Sequence, residues 1–192
     1  MTWNDLAKAF VKNITAFGFL ATGSFVTGIG KVLAPPIAGI TITTAFVAGF
    51  GIALCYLFLK SVSSSNLKRW FVSFIIVFIA LLLLFAYMRF QEFIVDTGSK
   101  DENGETRIIR GFELKNEKVK ENIDAKYGGN VMKALAATNY ESETLFTPES
   151  KTRIMMLLYY VWTLGFTAAC CAITVFTILN DSKTKPQKKP VK

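Results

Sequence analysis

The chain offers few side chains suited to catalysis. It has no His and only three Cys. An imidazole base, an imidazole metal ligand and a histidine pH switch are therefore excluded. Cys55, Cys170 and Cys171 all fall inside apolar blocks, with neither CxxC spacing nor companion ligands for zinc or an iron–sulfur cluster. In that setting they read as small buried hydrophobes. No stretch matches a glycine-rich phosphate loop or a dinucleotide fingerprint. Carboxylates and lysines crowd residues 91–153, but their spacing singles out no acid–base pair. The expectation is a protein without enzymatic activity, cofactor or metal site.

A second kind of chemistry is helix association in lipid. The apolar amino-terminal third is rich in hydroxyl and small residues, among them Thr15, Thr22, Ser24, Thr27, Thr41, Thr43 and Thr44. Small side chains let helices approach closely, and hydroxyls can hydrogen-bond across the contact. Thr41, Ala45, Gly49 and Ala53 recur every four residues and share one helix face. That face is the candidate packing seam or pore wall. A pore can use hydroxyls and backbone polarity without fixed charge. No span interior holds an Asp, Glu, Lys or Arg, which argues against a proton relay, a voltage sensor or a charged-substrate transporter.

The elements that would position these residues follow from the apolar blocks. Residues 14–30 form a glycine-containing block of 17 residues, at the short limit for a span. After the Pro35-Pro36 link, residues 37–59 supply 23 uncharged residues, enough for about 34 Å of helix. Together, 14–59 reads as a transmembrane hairpin. Residues 70–90 carry the bulkiest span, with Trp70 and Tyr87 placed for the interfacial belts and Arg89 able to snorkel. Residues 154–179 give 26 uncharged residues for a fourth span. The expected fold is an all-α polytopic membrane protein: four transmembrane helices, with a small α+β extramembrane domain between helices three and four.

Basic residues set the expected orientation. Lys8 and Lys12 lie in the flank 1–13, Lys60, Lys68 and Arg69 in the link 60–69, and five lysines in the tail 180–192. The opposite short flanks carry Lys31, Arg89, Lys151 and Arg153. With four spans this predicts both termini in the cytoplasm of a plasma or inner membrane. The tail reads as a topology signal and solvated end. Its lysines lack the interleaved aromatics of a nucleic-acid binder, so no nucleic-acid partner is expected.

Residues 91–153 are the main soluble segment. They hold 12 acidic and 10 basic residues, so the chain's +8 charge does not describe this region. "EFIVD" and "TRIIRGF" suit two short strands joined by a polar turn at Asn103 and Gly104. Helical spacing follows from Asn116, is broken by Gly128-Gly129, and resumes over Val131–Ala137. Tyr140, Leu145 and Phe146 are the candidate interaction surface, or equally the core of a tiny domain. The leading expectation is an external domain for assembly, sensing or partner binding, with the lipid bilayer and self-association or a protein partner as its contacts. The alternative is an oligomeric pore or channel subunit, with the Thr/Gly-rich first two helices lining or gating the path.

Overall fold

A computed structural model describes residues 34–97 and 107–184, with side chains through residue 180. Apolar, charge-free sequence gives two long helices early in this stretch: α1, Ile40–Leu59, and α2, Ser64–Phe90. Two short strands follow, β1, Ile94–Asp96, and β2, Arg107–Ile109. Three short helices come next: α3, Glu117–Tyr127, α4, Val131–Ala137, and α5, Ser142–Leu145. The last element is α6, Pro148–Thr184.

This order corrects the expected fold of four transmembrane helices around a small α+β domain. Among the described residues there are six helices, and three of them are long and apolar enough to cross a membrane. The block 14–30 lies outside the described residues. Nor does the middle region separate cleanly from the spans. Helix α2 begins at Ser64 and α6 at Pro148, each six residues before the apolar block it contains. The physical reason is that helices do not stop where hydrophobicity stops. Thr147 Oγ1 accepts from the Ser150 amide at 3.3 Å, and Pro148 sits at the first helical position, where a missing N–H costs nothing. The 37 residues of α6 make it about 55 Å long, well beyond the roughly 30 Å hydrocarbon core.

The described chain divides into two units. The first holds residues 39–82 and 162–184, with Ala34. In it, Leu67 of α2 joins Cys55 and Leu59 of α1 and Cys171, Val175 and Ile178 of α6 in one buried cluster. Higher up, Gly165 of α6 lies against Leu81 of α2. Over their apolar stretches α6 is 56% buried and α2 only 11%, so α6 is the enclosed helix and α2 presents most of its surface to lipid.

The second unit holds residues 35–38 and 83–161. The strands pair antiparallel with Ile94 opposite Ile109, Val95 opposite Ile108 and Asp96 opposite Arg107. Leu114 and Phe146 form a further bridge, flanked by Lys115 N–H to Leu145 O at 2.8 Å and Thr147 N–H to Glu113 O at 3.0 Å. These bonds return the chain to the start of α6. The apolar core is Val95, Ile123, Ala134, Leu135, Leu145 and Phe146. Asn116 and Asn130 cap α3 and α4, accepting from the Val119 and Lys133 amides at 2.9 and 3.0 Å. Gly128 ends α3 at φ 59°, a left-handed conformation that glycine adopts without steric cost. The predicted strands and the α3–α4 pair are therefore present, while the turn at Asn103 and Gly104 lies outside the described residues.

Candidate functional site

Two places gather the residues singled out in the sequence: the contact between α1 and α6, and the water-facing module that follows α2. On α1 the packed stripe is Ile40, Thr44, Ala48, Ile52, Cys55 and Leu59. Thr44 and Thr163 hydroxyls meet at 3.1 Å in a buried hydrogen bond. One turn on, Ala48 and Ile52 pack with Cys170. At Gly51 the helices are so close that an added Cβ would stand 2.7 Å from Thr167 Cγ2. This is the close approach that small residues permit in lipid.

The candidate face Thr41, Ala45, Gly49 and Ala53 is displaced from that stripe. Thr41 and Ala45 are exposed, and Gly49 and Ala53 are half-buried. A Cβ on Gly49 would meet nothing within 4 Å. Two small-residue stripes run along α1 about 100° apart, one residue out of phase. Within this chain the contact with α6 uses the Thr44 stripe. Sequence reasoning named Thr44 among the hydroxyls able to bond across a contact but missed Gly51 and Thr163. Thr44, Ala48 and Cys55 at spacings of four and seven were the available signal, but the neighbouring stripe carries one as good.

The hydroxyls of the apolar segments are largely engaged with their own helices. Thr43 Oγ1 donates to Gly39 O at 3.1 Å, Thr167 to Thr163 O at 2.8 Å, Thr174 to Cys170 O at 2.9 Å and Thr177 to Ile173 O at 3.0 Å. Such back-bonds satisfy the hydroxyl locally and leave the helix exterior apolar.

In the module, Leu145 and Phe146 are 7% and 3% exposed and belong to the core. Tyr140 is half-buried and packs against the same core, with left-handed backbone at φ 64°. Leu145 and Phe146 thus lie with Ile123 and Leu135 in the core, and Tyr140 lines it. Among exposed large hydrophobic residues of the described chain, Phe112 stands apart from the long helices, on the loop after β2. Its neighbour Gly111 is buried, and a Cβ there would collide with Ser150 Oγ and lie 2.9 Å from Phe146 Cβ.

Charge in this unit is mostly solvated and paired at the surface. Arg89 meets Asp96 at 3.4 Å, and Lys151 meets Glu143 at 2.9 Å. The hydrogen bond from Lys151, then its charge, holds the Glu143 carboxyl below the usual carboxylate range. Arg110 is half-buried. One Nη donates to Gln91 O at 2.6 Å, and the guanidinium lies 5.7 Å from the Phe93 ring centre. Burial lowers its pKa, with the Glu92 charge opposing the shift. Its Nε is the only buried side-chain nitrogen or oxygen without a hydrogen-bond partner among the described residues. No group of three or more potential metal ligands occurs among the described residues.

Among the described residues most threonine hydroxyls of the apolar segments are hydrogen-bonded, and the ion pairs lie at the surface. No protein-family model, curated protein or solved structure matches this chain. The chain is a multi-pass membrane protein with helical spans and a small non-membrane region.

Proposed function

We propose that this chain is a non-enzymatic membrane protein whose water-facing module mediates assembly or partner binding. One observation supports the reading above the others. The region between α2 and α6 buries Ile123, Leu135, Leu145 and Phe146 in a core of its own and caps its helices. A mere connection between two spans would need none of this. An ordered surface is what recognition requires, and Phe112 and the mixed charges of α3 supply its chemistry.

For the described spans, the basic residues Lys60, Lys68 and Arg69 support a cytoplasmic α1–α2 link in a plasma or inner membrane. The carboxy-terminal end of α6 then shares that side, and the module faces the other. The cytoplasmic amino terminus belonged to the four-span count and is not carried over.

The test is to replace residues 92–150 by a flexible linker in the full chain and to follow complexes by cross-linking in membranes. Loss of a defined complex with insertion preserved is the expected result; unchanged association would sink the reading. The pore alternative now rests on the Thr41–Ala45–Gly49–Ala53 face, which is the small-residue stripe of α1 left open to a second copy. It requires flux through liposomes containing the purified protein, altered by Ala45→Phe.

A further inference from the structure

All three cysteines of the chain sit along one helix contact. Cys55 of α1 and Cys171 of α6 share a buried cluster, and Cys170 packs with Ala48 and Ile52 of α1. Cys55 Sγ donates to the Cys171 carbonyl at 3.9 Å. Cys171 Sγ lies 3.6 Å from the position a Cβ on Gly51 would take. Gly51 and Cys55 are one helical turn apart and share a stripe of α1. The 3.6 Å is ordinary van der Waals distance, so the Cys171 sulfur packs alongside the stripe on which Cys55 stands. All three thiols are reduced in this structure.

We propose that Cys55 and Cys171 are an oxidisable dithiol that locks α1 to α6. A two-electron oxidant of the membrane-permeant diazene class serves as the probe. Two S–H bonds break and one S–S bond forms. Both protons and both electrons pass to the N=N group, which becomes a hydrazine. The bond joins residues 116 apart in sequence, tying the first described span to the last. Cys170 is not the partner of either. Adjacent residues on a helix point about 100° apart, which excludes a Cys170–Cys171 bridge. On α1, Cys170 faces Ala48 and Ile52 rather than the Cys55 cluster. The lock lies wholly in the membrane helices and is independent of partner binding by the module.

The experiment uses the full chain in membranes, treated with diamide, then denatured and reacted with a maleimide-polyethylene glycol. Wild type is expected to fall from three mobility-shifting additions to one, as a monomer, with dithiothreitol restoring three. Cys170→Ala should fall from two to none, while Cys55→Ala and Cys171→Ala each keep two. Cys55→Ser and Cys171→Ser, which retain a small hydrogen-bonding side chain, should insert at wild-type levels and also keep two. Retention of all three thiols in wild type overturns the proposal, as does thiol loss persisting without Cys55 or a disulfide-linked dimer.

Discussion

Gly51 and Gly111 are both sites where a side chain would collide, yet they close two different kinds of contact. At Gly51 the obstruction is a Thr methyl on a neighbouring helix, in a seam of Thr, Ala, Ile and Cys. At Gly111 it is Ser150 and Phe146 at the edge of a core of Leu, Ile, Val and Phe. The solvents account for the difference. In water, burying apolar surface yields about 25 cal/mol per Å², so the module gathers large side chains. In lipid an apolar side chain gains nothing by leaving the hydrocarbon. Helices there associate by close approach and an occasional hydrogen bond such as Thr44–Thr163. Truncation should therefore injure the module most, and enlargement the seam.

Leu135→Ala should have the largest effect. Leu135 is fully buried in the module core, and such truncations cost about 3 kcal/mol. The module should become protease-sensitive while the membrane spans stay protected. Protection of the module at wild-type protease levels would break the comparison at its base. Gly111→Ala should follow, at about 2 kcal/mol for over-packing against Phe146 and Ser150. Its effect too should be confined to the module, read as lower protease resistance in the same assay.

Within the seam the comparison sharpens to two residues on one helix. Gly51→Ala pushes against Thr167, whose hydroxyl is tied to Thr163 O, whereas Gly49→Ala meets open space. The first should weaken α1–α6 association by about 1 kcal/mol; the second should leave it unchanged or slightly raise it through helix propensity. Thr44→Val should cost about 0.6 kcal/mol, a typical value for an interhelical hydrogen bond in lipid. Disulfide trapping between cysteines placed at positions 44 and 163 reads the helix register. Equal behaviour of the two glycine variants would mean that α1 presents the Thr41 stripe to α6 instead.

The difference in solvent also explains what was legible in the sequence. In the module, water imposes strong local rules. The Asn caps, the Gly128 stop and the alternation in "EFIVD" and "TRIIR" each mark an element that the structure contains. The start of α6 was legible as well, in Thr147-Pro148-Glu149, but Pro148 reads equally as a turn when the apolar block begins six residues later. Inside the spans the rules weaken. Every face of α1 is compatible with lipid, so hydrophobic periodicity cannot mark the one that packs. Small-residue spacing then offers two stripes, and only the position of α6 decides between them. Leu145 and Phe146 were legible equally as surface or core, and they lie in the core, because the few large apolar residues of a polar stretch are the ones a small core draws on.

The smallest expected effect concerns the Glu143–Lys151 pair, which joins α5 to the first turn of α6. Lys151 holds the Glu143 carboxyl below its ordinary value of 4.5 by hydrogen bonding and charge. A depressed folded-state pKa contributes stability that is present above the unfolded value and lost as pH falls through the folded one. Acidification below about pH 4.5 should thus loosen the α5–α6 junction slightly, and Lys151→Met should remove that pH dependence without changing the spans. Because Glu143 is solvent-exposed, salt should mimic the variant. Amide exchange at residues 142–150, measured from pH 7 to pH 3 after correction for intrinsic rates, reads the effect. A pH response of the same size in Lys151→Met would assign it to other carboxylates and leave the junction held by Thr147, Pro148 and the buried Ser150 alone.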